Sequence, residues 1–160
     1  MMLHTSLSTL LRELVHGTAP NEGYILNPGD VGLLRSLDGL SAEAASAPAP
    51  AGGASIAAHV DHLRYGFELL NRWSEGELPF SEADYGTSWQ NGTVSSEEWK
   101  LRRAALAKQI ARWERVVAEP LEMSQVELNG VVASVAHLAY HLGAIRQIDR
   151  SIQGPRAHSG

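Results

Sequence analysis

The feature that most constrains this chain is the recurrence of apolar side chains every three or four residues in four separate stretches. That spacing paints one face of an α-helix, whereas a half-buried strand would alternate every two residues. Leu7, Leu10, Leu11 and Leu14 mark a first helix from about Thr5 to His16, and Gly17 follows as a stop. A second runs from about Ser55, a natural N-cap, to Ser74. Its stripe is Ile56, Val60, Leu63, Phe67 and Leu70, extended on one side by His59, His62, Gly66, Leu69 and Trp73. Asp61, Arg64, Glu68, Asn71 and Arg72 lie on the opposite side of the wheel. A third begins at the capping box Ser95-x-x-Glu98, continues through Trp99, Leu106, Ile110, Trp113 and Val117, and ends at Pro120. The last runs from about Asn129 to Ile152 with Val131, Val135, Leu138, Leu142, Ile145 and Ile148 inward, and Gly154-Pro155 stops it.

Four long amphipathic helices with nothing that reads as a sheet predict an all-α fold, a four-helix bundle. The intervening segments are read as follows. Residues 18–30 are turn-rich, and a short helix is expected from Asp30 to Leu37 with Leu33 and Leu34 inward. Residues 41–55, SAEAASAPAPAGGAS, read as a linker without a packed element. Residues 76–94 read as a long irregular loop whose Phe80, Tyr85 and Trp89 pack on something. The 160 residues suit a single domain spanning 1–160, with a flexible tail from about 154 to 160.

Charge narrows the partners. The formal net charge is −5 with neutral histidines, and no Lys/Arg cluster offsets it. A phosphate backbone or an anionic bilayer would repel that balance, so neither nucleic acid nor membrane is an expected partner. A hydrophobic share of 44 % and a charged share of 19 % fit a soluble globular protein. The absence of cysteine excludes disulfides, thiolate zinc sites and a cysteine nucleophile. Arg12 and Glu13 interrupt the N-terminal apolar pattern, so no signal peptide is expected. No window is expected to reach the roughly 20 apolar residues of a membrane helix, and the expected location is the cytoplasm.

The chemistry rests on histidine. His137 and His141 are four apart on a helix, which puts both on one face about 6 Å apart along the axis. Two imidazoles so placed can share one cation, and the pair borders the apolar face of Leu138, Leu142 and Ile145, so both rings are expected to point inward. His59 and His62 form a second inward-facing pair, and buried ring nitrogens need partners. Either can supply a third ligand. The wheel leans to His59, nearer the centre of the buried arc, and the other would then orient a neighbouring side chain. Asp61 and Glu68 read as solvated helix charges rather than ligands, and His4, His16 and His158 as surface residues. The chain shows no Ser-His-Asp order and no phosphate-binding Gly-rich loop.

Two segments carry a resemblance. GGASIAAHVDHLRYGFELLNRW resembles the second helix of the DinB-like (DinB/YfiT) family, where Ser or Thr opens the helix and His-Leu follows seven residues later, here Ser55, His62 and Leu63. VASVAHLAYHLGAIRQI resembles the family's last helix, with His-x-x-x-His followed by Gly-x-Ile, here His137, His141, Gly143 and Ile145. The resemblance implies a metal site of His62, His137 and His141, which chooses His62 over His59 and leaves His59 beside the site. It implies one divalent metal ion, zinc, nickel or iron. It also implies transferases and isomerases that use a low-molecular-weight thiol, and a homodimer.

Three neutral imidazoles leave such an ion with open positions for water or a substrate atom. The expected function is therefore a metal-dependent transferase or hydrolase acting on a small molecule. Tyr65, Trp89, Tyr140 and Arg146 are candidates for lining its pocket, and no catalytic residue is assigned. The rival expectation is a non-catalytic metal-binding or dimerising module, since a fold and its ligands do not fix a reaction.

Overall fold

The computed structural model describes residues 2–119 and 122–156. Pro120, expected to end the third helix, and His158 lie outside the described residues, as does the tail from 157 to 160. Among the described residues the chain forms seven α-helices and three short 3-10 turns, with no strand. It divides into two compact units: Met1–Gly39 with Val117–Gly160, and Leu40–Val116.

In the first unit, α1 (Met2–His16) packs against α2 (Gly32–Asp38) and α7 (Gln125–Ile148). The leucine pattern works as expected: Leu7, Leu11 and Leu14 are buried, and Leu10 sits at the margin. Glu13 is buried as well, for a reason that periodicity does not carry. Its carboxylate accepts the amides of Tyr24 (3.0 Å), Ile25 (2.7 Å) and Leu26 (2.6 Å), pinning the turn-rich segment back onto α1.

α1 ends at Gly17, whose φ of +92° only glycine adopts without strain. A Cβ there would lie 2.0 Å from the Asp30 carbonyl oxygen, the same oxygen that accepts the Thr18 amide at 2.8 Å. Gly32, with φ +73°, presses on Gly17 from the other side. Gly17→Ala is therefore expected to destabilise by more than the roughly 1–3 kcal/mol of a strained backbone position alone, because the clash is with main chain. A loss of unfolding free energy in urea of less than half that amount would contradict this account.

α7 starts four residues earlier and stops four residues sooner than its apolar face suggests. The start is set by a second capping box, in which Ser124 Oγ accepts the Glu127 amide and Glu127 reaches back to the Ser124 amide. The stop comes at Asp149, whose side chain instead caps the 3-10 turn Arg150–Ile152. α7 also corrects the expectation about membranes. Residues 128–145 contain no Asp, Glu, Lys or Arg, and the helix is long and apolar enough to cross a bilayer, with a mean hydropathy of 1.3. Only 39 % of that window is buried, though the core helix of a globular protein passes the same test.

In the second unit, α4 (Ile56–Ser74) packs against α3 (Ala42–Ser46), α5 (Tyr85–Gln90) and the 3-10 turn Pro79–Glu82. Two of these elements fall where none was expected. α3 forms inside the small-residue linker because Ser41 caps it, accepting the Ala44 amide, and Ala45 is fully buried. α5 forms inside the presumed loop because Asp84 accepts the Thr87 amide and hydroxyl. α6 (Ser96–Ala118) lies mostly in this unit and opens with the expected Ser95–Glu98 box. Its Trp99 buries its ring and donates Nε1–H to the Leu40 carbonyl at 2.9 Å.

Candidate metal centre

Ser55 opens α4 by accepting the Ala58 amide, and donates its own proton to the Gly92 carbonyl at 2.6 Å. Asp61, further along α4, is buried rather than solvated. It accepts Arg64 Nε at 2.8 Å and Asn91 Nδ2 at 3.0 Å. Burial alone would raise its pKa, but the hydrogen bonds from Asn91 and Arg64 and the charges of Arg64 and Arg102 outweigh that and hold it below the usual carboxylate range. Arg102 of α6 donates to the carbonyls of Asn91 (2.6 Å) and Ala57 (2.9 Å). The chain just beyond α5 is thus tied to α4 at residues 91 and 92. Asn71 likewise turns out buried, donating Nδ2–H to Gln109 of α6.

These ties bring α5 down onto the two histidines of α4. The Trp89 ring stacks on His62 at 4.4 Å and meets His59 edge-on at 5.1 Å. Both histidines are buried. Burial pushes the His59 pKa below its ordinary value, so its ring is held neutral. His62 Nδ1 lies 3.2 Å from Ser88 Oγ, a residue that the sequence pattern did not single out.

On α7, Val131, Val135, Leu138, Leu142 and Ile145 are buried as expected. His141 joins them at 2 % exposure, whereas His137 remains exposed, so only one of the pair lies in the interior. The two rings stand nearly perpendicular with their Nε2 atoms 2.9 Å apart. Partial desolvation lowers the His137 pKa below its ordinary value. His137 and His141 thus bring two ring nitrogens together within the first unit, while His62 and His59 belong to the second. Imidazole nitrogens as close as those of His137 and His141 fit a borderline divalent ion such as zinc, nickel or iron(II) and suit magnesium or calcium poorly.

The family model of the DinB superfamily matches residues 32–145, well over half the chain. The chain belongs to the DinB superfamily. No curated protein and no solved structure matches it. The match takes in the whole of α4 and α7 as far as Ile145, and so all three histidines of the DinB-like pattern.

The other residues of interest in this DinB-superfamily chain fall in different places. Tyr65 accepts the Asp84 amide at 3.1 Å through its hydroxyl and meets Tyr85 edge-on. Tyr140 is 71 % exposed and meets His141 edge-on at 5.1 Å. Arg146 is held by Asp30, with two hydrogen bonds of 2.8 and 2.7 Å, and lines a cavity of about 370 Å³ together with Leu26, Asn27, Gly143 and Gly154. Glu68 is engaged by Arg64 at 2.7 Å.

Proposed function

We propose that the protein is a metal-dependent enzyme of the DinB superfamily that holds one divalent ion, zinc, nickel or iron, through His62, His137 and His141 in a four-helix bundle. The observation that carries this reading is the 2.9 Å approach of the His137 and His141 Nε2 atoms on α7, and the family match that takes in His62 along with them supports the third ligand. Three protein ligands would leave the ion a position open to exchange, which a closed structural site would fill with a fourth. Bound there, such an ion would lower the pKa of water towards about 7, polarise a carbonyl or stabilise a thiolate.

The chain's own residues supply the rest. The face of Trp89 shields His62 and, being 36 % exposed, presents an apolar edge to an incoming small molecule. The exposed Tyr140, whose ring meets His141 edge-on, offers its hydroxyl to a substrate. The substrate class is a small electrophile paired with a low-molecular-weight thiol, or a hydrolysable small molecule. The protein metallated with zinc, nickel or iron(II) is expected to consume such a thiol in the presence of a panel of electrophiles, and the metal-free protein is not. Absence of turnover in every fully metallated sample would remove the transferase reading.

A separate observation favours a dimerising module. α7 exposes Val126 (70 %), Val132 and Tyr140, an apolar surface suited to a second copy. Sedimentation of the purified protein distinguishes monomer from homodimer.

A further inference from the structure

Ser88 makes two contacts through one hydroxyl. Its Oγ lies 2.8 Å from the Tyr85 carbonyl oxygen and 3.2 Å from His62 Nδ1. A carbonyl can only accept, so the single hydroxyl proton belongs to the shorter contact. Towards His62 the same oxygen then has only lone pairs to offer, and a hydrogen bond there requires the proton to sit on Nδ1. In a neutral imidazole a proton on Nδ1 makes Nε2 the lone-pair nitrogen, the one that takes a cation.

The placement is well fixed. Ser88 is 4 % exposed, at the middle of α5. Asp84 caps that helix, while Asn91 and Gly92 anchor its far end to Asp61 and Ser55 of α4. Trp89, the next residue, lies flat against the His62 ring at an interplanar angle of 23° and limits its rotation. One short helix therefore holds the ring at its edge and on its face.

We propose that Ser88 is a positioning residue that fixes His62 as the Nδ1–H tautomer and so presents Nε2 as a metal ligand. The proposal rests on the reading of His62 as a ligand, but its first consequence is a property of the metal-free protein. Outer-shell partners of this kind typically contribute 10–100-fold to metal affinity.

The test uses histidine-labelled full-length protein without metal at about pH 8, well above the ordinary histidine pKa of about 6.5. Long-range proton–nitrogen NMR correlations distinguish the two tautomers, with the His62 signals assigned by their loss in His62→Gln. His62 is expected to show the Nδ1–H pattern in the wild type and to lose it in Ser88→Ala. Zinc affinity by chelator competition is expected to fall about 10–100-fold in Ser88→Ala. Ser88→Thr, which keeps the hydroxyl, is expected to restore both readouts, whereas a merely packing role would not move the tautomer at all.

An Nε2–H pattern in the wild type would overturn the proposal without any variant. So would zinc binding by the wild type together with unchanged tautomer and affinity in Ser88→Ala, which leaves the metal site standing. A wild type that shows the Nδ1–H pattern, lost in Ser88→Ala, but binds no zinc, nickel or iron(II) would support the tautomer assignment and remove the metal reading instead.

Discussion

Alanine at His141 is expected to abolish binding of zinc, nickel or iron(II). The effect should exceed the 10–100-fold loss that follows removal of an outer-shell partner, because on the proposed function a ligand itself is lost. His141 is the most deeply buried ring of the three, set between the fully packed Leu138 and Leu142 on α7. Its Nε2 faces that of His137 at 2.9 Å. Two lone pairs cannot face one another so closely without a proton or a cation between them, and a cation bound by both nitrogens removes that conflict. His137→Ala should act likewise. His62→Ala should weaken binding far more than His59→Ala, since it is His62 that stands in the DinB-like pattern. Metal content after purification and chelator competition on each variant provide the measurement. Far-UV circular dichroism checks that the helices persist. Wild-type affinity in His62→Ala, with loss in His59→Ala, would show that the wrong histidine of α4 had been chosen.

Much of this chain is legible in its sequence, and what is not has a common cause. Periodicity finds α1, α4, α6 and α7 because each buries an apolar stripe, and that stripe is local information. Ser55 and the Ser95–Glu98 box are legible for the same reason, since a cap is completed within four residues. The Ser124–Glu127 box carried the same signal as the Ser95 box and lay just ahead of the apolar run used to start α7. α3 and α5 are too short for a hydrophobic period, and only their caps, Ser41 and Asp84, announce them. The polar interior is the harder part. Asp61 and Asn71 sit on the polar side of the wheel, yet both are buried. Their partners, Asn91 and Gln109, lie 30 and 38 residues away. A helical wheel records which residues avoid water, not which polar groups find a distant donor or acceptor. Ser88 escaped notice in the same way, because its partner His62 is 26 residues distant.

The second large effect concerns the ion pair that joins α7 to α2 in the first unit. Asp30→Asn is expected to destabilise the protein by about 3–5 kcal/mol at neutral pH, the usual consequence of removing one partner of a buried ion pair. Asp30 and Arg146 retain only 3 % and 11 % side-chain exposure. The carboxylate accepts both Nη groups of Arg146 and the Gly32 amide at the start of α2, so it joins α7 to α2. Neutralised, it would leave the guanidinium buried without a counter-charge, and Arg146 Nε already lacks a hydrogen-bond partner. Burial pulls the Asp30 pKa upward, but the Arg146 hydrogen bonds, the Gly32 amide and the Arg146 charge more than reverse this, and the folded-state value lies below 3.8. A depressed carboxylate pKa means that the folded state favours the ionised form. Its contribution is therefore complete above the unfolded value of about 3.9 and is lost as pH falls through the lower folded value. Urea unfolding of the wild type should weaken below about pH 4, and Asp30→Asn should show a shallower acid slope, with Asp61 supplying part of what remains. Arg146→Met combined with Asp30→Asn should cost less than the sum of the single changes, because the double variant buries no lone charge. A loss under about 1 kcal/mol for Asp30→Asn, or strict additivity in the double variant, would show that the pair contributes no more than a surface salt bridge.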